Sequence, residues 1–144
     1  MPVRPNVLLI MTDQQSYRAM SCAGNPNLRT PALDNLAETG VRFSNAYCSY
    51  PLCTPSRAAT FTGRMPHEVG IDGNNQPINE VYRKEEMGFL FQRAGYDCVY
   101  GGKWHVPEIS IPDQEHGFRR ICAFDDTQLA ERCVEYLEED HQQP

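Results

Sequence analysis

Cys-Thr-Pro-Ser-Arg at residues 53–57, with Thr-Gly-Arg at residues 62–64 after a short spacer, is the stretch from which the rest of the sequence can be interpreted. The Thr-Pro pair inside it is a typical helix start, because threonine favours the N-cap and proline the first helical position. A helix is therefore predicted to run to about Thr62, and Gly63 is a typical stop signal. Cys53 is predicted to lie at the N-terminus of that helix, where free N–H groups and the helix dipole favour an anion.

Two strands are predicted upstream of this stretch. Residues 7–11 form a continuous apolar run, as expected of a buried strand in a parallel sheet, and Asp13 and Gln14 follow at its carboxyl end. A short helix over residues 32–39 comes next, with Thr-Pro before it and glycine after it. Residues 41–47 alternate apolar and polar side chains, which predicts a half-exposed strand that leads into the loop before Cys53.

The downstream part continues the alternation of strands and helices. Residues 70–77 are predicted to form a surface loop, residues 80–94 an amphipathic helix that ends at a glycine, and residues 125–140 a last helix. Residues 96–100 are predicted to be a strand, and the glycines after it permit a tight turn that presents Lys103 and His105. Alternating strands and helices indicate the α/β class, in which ligands gather at the carboxyl ends of strands.

Composition excludes some functions. The chain has 13 Lys+Arg and 19 Asp+Glu, a net charge of -6, which argues against a nucleic-acid partner. The longest apolar run is too short to span a membrane, and the first residues do not resemble a signal peptide, so a cytoplasmic location without a membrane partner is expected. The six cysteines are then expected to be free thiols, and none forms the C-x-x-C pair of a structural zinc site.

The pattern C-x-P-S-R with a downstream T-G-R resembles the signature of the sulfatase family. The resemblance implies that a separate maturation enzyme oxidises Cys53 to formylglycine. It also implies an alkaline-phosphatase-like three-layer α/β sandwich with a mostly parallel central sheet. The aldehyde hydrate has two hydroxyls: one attacks sulfur with help from a metal ion, and the other later loses its proton and expels sulfate.

The remaining site residues follow from the same resemblance. Asp13 and Gln14 match the strand end that supplies metal ligands in the family. Many members have a second Asp where this chain has Gln14, so Asp13 is the stronger match. The nucleophile at position 53 is also expected to face the metal. Calcium is expected rather than magnesium. Gly-Lys-Trp-His at residues 102–105 resembles the family's G-K-W-H segment. The resemblance implies that Lys103 contacts the sulfate and the nucleophile, and that His105 helps to position or to deprotonate the formylglycine hydrate.

Arg57, one turn into the helix, is expected to hold the nucleophile or the metal-bound oxygens. Trp104 is expected to pack rather than to bind a ligand, and His116 to be structural or exposed.

Residues 1–144 are interpreted as the N-terminal part of a sulfatase catalytic domain, with the rest of the domain and a C-terminal subdomain absent. The predicted function is metal-dependent hydrolysis of a small-molecule or saccharide sulfate ester. A phosphonate or phosphate ester hydrolase of the same superfamily and a non-catalytic truncated fragment remain as alternatives. A thiol phosphatase is excluded, because its C-x5-R loop requires an arginine where this chain has Ala59.

Overall fold

The computed structural model describes residues 4–107, 116–122, 127–139, 141 and 144. The chain divides into two compact units. One consists of Met1–Val7 with Cys48–Pro144, and the other of Leu8–Tyr47. We call them the large unit and the small unit and describe each by itself.

The small unit is built on one helix, α1 (Pro31–Thr39), preceded by a 3₁₀ turn over Ser21–Ala23. Thr30 and Gly40 flank α1, which confirms the predicted helix and its boundaries. The Thr30 hydroxyl does not cap α1 but lies 2.8 Å from Ser21 Oγ. The Ser21 hydroxyl donates to the two oxygens of the Asp34 carboxylate at 2.9 and 2.7 Å. These hydrogen bonds hold the 3₁₀ turn against the first turn of α1 and lower the pKa of Asp34.

The two strands predicted upstream of Cys53 are wrong. Neither residues 7–11 nor residues 41–47 are in a strand, and the apolar side chains of both segments are largely exposed, with Leu8 at 68% and Phe43 at 76%. A parallel strand exists only where neighbouring strands satisfy its backbone and cover its faces. Among the residues that the structure describes, no segment pairs with either run.

The helices of the large unit begin with α2 (Cys53–Thr62), which confirms the predicted helix but begins at Cys53 itself. The single helix predicted over residues 80–94 is instead a 3₁₀ helix, Glu80–Glu85, followed by α3 (Met87–Arg93). The break lies at Glu86, whose backbone is extended and whose side chain is buried. Periodicity alone could not predict this interruption, because the buried Glu86 side chain hydrogen-bonds to His116, 30 residues along the chain.

A two-stranded parallel sheet carries the turn of interest. β1 (Val99–Gly101) is a shorter version of the predicted strand, and β2 (Arg119–Cys122) was not predicted. The last helix, α4 (Leu129–Glu138), packs against both strands. It begins later than predicted, and residues 125, 126 and 140 of the predicted helix lie outside the described residues.

The core of the large unit lies between α2 and the segment after β1. Its buried side chains are Ala58, Phe61, Val69, Ile71, Ile78, Trp104 and Val106, with Tyr82, Met87, Tyr100 and Phe118 packed against them. None of the described helices combines the length and the apolar character needed to cross a membrane.

Candidate active site

Cys53 is the first residue of α2 and is half-buried. The ammonium group of Lys103 lies beside it, with 3.6 Å between Lys103 Nζ and Cys53 Sγ. The two residues are 50 positions apart in the sequence. The structure therefore brings together two of the residues that were predicted to act on the same substrate.

The turn after β1 places Lys103 at this position. β1 ends at Gly101, and Gly102 takes a φ of +93°, a conformation that a residue with a Cβ rarely adopts. Trp104 then fixes the turn against α2, because its ring stacks on Phe61 at 4.2 Å between centroids and meets Tyr100 edge-on at 4.6 Å. The interpretation of Trp104 as a packing residue is confirmed.

Arg57 braces the same turn from inside α2. Its side chain is 5% exposed, and Nη1 donates a hydrogen bond to the carbonyl oxygen of Lys103 at 2.5 Å. Arg57 was expected to hold the nucleophile or metal-bound oxygens, which stays a prediction. At least one of its N–H groups holds the backbone that carries Lys103.

His105 is held in a strained backbone conformation, with a φ of +57°. Its carbonyl oxygen accepts a hydrogen bond of 2.6 Å from the Thr54 hydroxyl. Its Nδ1 atom is buried and has no hydrogen-bond partner in the described part of the chain. A buried ring nitrogen without a protein partner is chemically available to hold or accept a proton.

The start of α2 offers fewer free donors than the sequence analysis expected. The Thr54 N–H donates to Asn74 Oδ1 at 3.0 Å, Pro55 has no N–H, and the Ser56 N–H donates to the Leu52 carbonyl at 2.9 Å. The expectation of several free N–H groups for an anion is therefore wrong for these three residues. Positive charge near Cys53 comes instead from the side chain of Lys103.

The Thr-Gly-Arg segment has a structural role. Gly63 ends α2 with a φ of +66°, and Arg64 forms an ion pair with Glu85 that raises the pKa of the guanidinium. The guanidinium also lies over the Tyr82 ring, 4.7 Å from its centroid. This arm of the motif ties the end of α2 to the 3₁₀ helix before α3.

Two of the three candidate metal ligands, Asp13 and Gln14, belong to the small unit. Asp13 and Gln14 are exposed, and Gln14 has a φ of +55°. The prediction that a strand end presents them is wrong, because residues 7–11 form no strand. Within the described ranges, no group of three or more His, Cys, Asp and Glu residues could hold a metal ion. One carboxylate and one amide do not complete a site for a cation that takes six to eight oxygens.

Several residues around the site have distant partners that no local pattern in the sequence indicates. Thr54 lies inside the signature but was read only as a helix start, and Asn74 was read only as part of a surface loop. His116 was predicted to be structural or exposed; it is 4% exposed, and its Nδ1 hydrogen-bonds to the buried carboxylate of Glu86. None of these pairings has a local sequence signal, because the partners are 20 to 51 residues apart.

Comparison with known proteins accounts for this combination of features. The sulfatase family model matches residues 5–142. The chain is 41% identical over 108 residues to an ulvan-active sulfatase of Formosa agariphila, covering 73% of this chain and 20% of that protein. It is 40% identical over 109 residues to an N-acetylglucosamine-6-O-sulfatase of Bacteroides thetaiotaomicron, covering 76% and 19%.

Human arylsulfatase A is 37% identical over 128 residues, covering 81% of this chain and 24% of the relative. The chain thus spans about a fifth to a quarter of the length of the curated relatives it matches. The match covers the Cys53 signature, the Lys103 turn and nearly everything between the two termini. This chain belongs to the sulfatase family, whose alkaline-phosphatase-like α/β fold was expected from its sequence.

Proposed function

We propose that this chain supplies the nucleophile side of the active site of a sulfuric ester hydrolase, with Cys53 as the precursor of formylglycine. The observation that carries the proposal is the 3.6 Å approach of Lys103 Nζ to Cys53 Sγ at the start of α2. The relatives named above are sulfatases, and the names of two of them refer to ulvan and to N-acetylglucosamine. The proposed substrate is accordingly a small-molecule or saccharide sulfate ester.

Each residue of the turn has a separate task in this proposal. When formylglycine is formed at position 53, it supplies an aldehyde hydrate as the nucleophile. The Lys103 ammonium attracts a sulfate oxygen as a point charge, and Arg57 keeps that ammonium in place through the Lys103 carbonyl. His105 Nδ1 is proposed to hold the proton that is exchanged with the nucleophile.

The divalent cation expected for the family has three candidate ligands in this chain. We propose Asp13, Gln14 and the matured residue 53 as contributors, and calcium as the ion. Since the described residues do not complete a cation site, ligands from other residues are required. We also propose that residues 1–144 form the N-terminal part of the catalytic domain.

Peptide mapping by mass spectrometry tests the nucleophile. The protein is coexpressed with a formylglycine-generating enzyme, and the peptide that contains residue 53 is expected to lose about 18 Da as the thiol becomes an aldehyde. Cys48, five residues earlier and exposed, serves as the internal control and keeps its thiol. An unmodified Cys53 under these conditions would remove the catalytic proposal and leave a binding role as the alternative.

Kinetics of matured protein test the role of Lys103. Replacement by glutamine removes the positive charge beside position 53, and we expect kcat/KM for an aryl sulfate to fall at least about a hundredfold. Lys84→Gln, at an exposed position, is the matched control. Turnover of the matching aryl phosphonate faster than the aryl sulfate would assign the site to phosphonate ester hydrolysis instead.

A further inference from the structure

The first turn of α2 is capped by a residue from another part of the chain. The N-cap position is Leu52, whose side chain has no acceptor atom, so it cannot receive an N–H of the first turn. Asn74 fills this role, because its Oδ1 accepts the Thr54 N–H at 3.0 Å. The amide that directly follows Cys53 is therefore fixed from the loop over residues 72–76.

This loop is closed by hydrogen bonds among its own residues. Gln76 Oε1 accepts the N–H groups of Asp72 and Gly73 at 2.8 and 3.2 Å, and Gln76 Nε2 donates to Asp72 Oδ1 at 2.5 Å. Asn75 turns the chain with a φ of +62°. The loop closes on itself through these bonds, so Asn74 is presented to α2 from a defined backbone.

The Thr54 hydroxyl extends the network to the other side of the site. This side chain is completely buried, donates to the His105 carbonyl at 2.6 Å and accepts the Asn75 N–H at 3.3 Å. His105 has a positive φ, so its backbone needs restraint to remain in that conformation. One hydroxyl thus connects the residue after Cys53, the supporting loop and the turn that carries Lys103 and His105.

We propose that Thr54 and Asn74 are positioning residues, which fix the distance between the nucleophile at position 53 and the Lys103–His105 turn. The inference rests on the proposed function and deepens it. A helix cap by itself would be an ordinary structural feature. Here the capped amide is adjacent to Cys53 and the same threonine restrains the main chain of His105, so both ends of the network lie on candidate site residues.

Amide hydrogen exchange tests the network without requiring activity. Thr54→Val keeps the shape of the side chain but removes the hydroxyl, and we expect the amides of residues 102–106 to exchange about tenfold faster. Thr54→Ser restores the hydroxyl and is expected to restore slow exchange. Thr60→Val is the matched control, because Thr60 lies on the same helix and its hydroxyl bonds only to the Ser56 carbonyl among the described residues.

Kinetics of the matured protein then separate positioning from stability. We expect kcat for an aryl sulfate to fall about tenfold to a hundredfold in Thr54→Val, with KM within about twofold, because a misplaced nucleophile slows the chemical step. Thr54→Ser and Thr60→Val are expected to stay close to the unsubstituted protein. Should Thr54→Val fail to fold, Asn74→Ala tests the positioning role in its place, because it removes the side chain that accepts the Thr54 N–H. The same fall in kcat is expected.

The two proposals fail in different ways. A Cys53 that stays unmodified under coexpression with the formylglycine-generating enzyme would contradict the proposed function, while hydrogen exchange would still decide the network. Active protein in which Thr54→Val and Asn74→Ala match Thr60→Val in exchange and in kcat would overturn the positioning role and leave the function standing.

Discussion

At the scale of single residues, the chain uses burial to give polar side chains a fixed partner. Glu86 and His116 are 1% and 4% exposed and bind each other across 30 positions of sequence. The imidazole of His116 lies 4.8 Å from the Trp104 ring, between centroids. The pair therefore supports the same tryptophan that holds the candidate catalytic turn against α2.

Breaking this pair is expected to destabilise the large unit. Glu86→Ala leaves a buried imidazole without its partner, and we expect the free energy of unfolding to fall by about 3 kcal/mol. Urea unfolding followed by Trp104 fluorescence measures it, since the chain has a single tryptophan. Glu85→Ala, the neighbouring substitution at an exposed ion pair with Arg64, is expected to cost at most about 1 kcal/mol. Equal losses in the two variants would contradict the structural role given to Glu86.

The sequence suggested candidate site residues but few of their contacts. Cys53, Lys103 and His105 are candidates because their signatures are local, and the first two lie side by side as expected. The task of Arg57 could not be predicted fully, because its hydrogen bond to the Lys103 carbonyl depends on the packing of two distant segments. For Asp13 and Gln14, the sequence indicated candidate metal ligands, but the strand predicted to present them is not formed.

At the scale of elements, two helices were predicted better than most of the strands. Helix α1 and helix α2 have local stop signals, because Gly40 and Gly63 directly follow their last residues. A strand depends on a partner, and the apolar run at residues 7–11 has none among the described residues. The same reason explains why β2 was missed: it is defined by its parallel pairing with β1 rather than by its own pattern.

The docking of α4 on the sheet is expected to weaken in alkaline solution. Burial and a 3.0 Å hydrogen bond from its hydroxyl to Asp97 raise the pKa of Tyr136 from 10.0 to about 12. Because the folded protein disfavours the tyrosinate, this contribution to stability is complete below pH 10 and is lost as the pH rises towards 12.

Urea unfolding between pH 8 and 12 measures this effect, with the range set by the pKa of Tyr136. Tyr136→Phe is expected to flatten the decline in the free energy of unfolding above pH 10. Tyr47→Phe, at a tyrosine that is 89% exposed, is the control and is expected to follow the unsubstituted protein. Parallel curves for all three proteins would show that α4 does not depend on this hydroxyl.

At the scale of the whole molecule, the chain presents much apolar surface. In the small unit, large exposed side chains include Leu8, Leu9, Ile10, Val41, Phe43 and Tyr47. Exposed apolar side chains in such numbers favour association. We expect the chain to associate in a concentration-dependent manner.

Sedimentation velocity over a range of concentrations checks this expectation. Leu8→Asp combined with Ile10→Asp is expected to lower the average mass towards that of one chain, because it removes apolar surface and adds repulsion. Thr12→Asp combined with Asn35→Asp adds the same charge at exposed polar positions of the same unit. A monomer at all concentrations before any substitution would show that these side chains do not drive association.

The cap that Asn74 supplies to α2 has a consequence for the residue just before the nucleophile. The side chains that best cap a helix from its own N-cap position include Asp, which would place a carboxylate next to Cys53. Because the cap comes from elsewhere, position 52 is occupied by a leucine that is 37% exposed and carries no charge. An anion that approaches the nucleophile is thus adjacent to an uncharged, apolar Leu52 side chain and to the ammonium of Lys103.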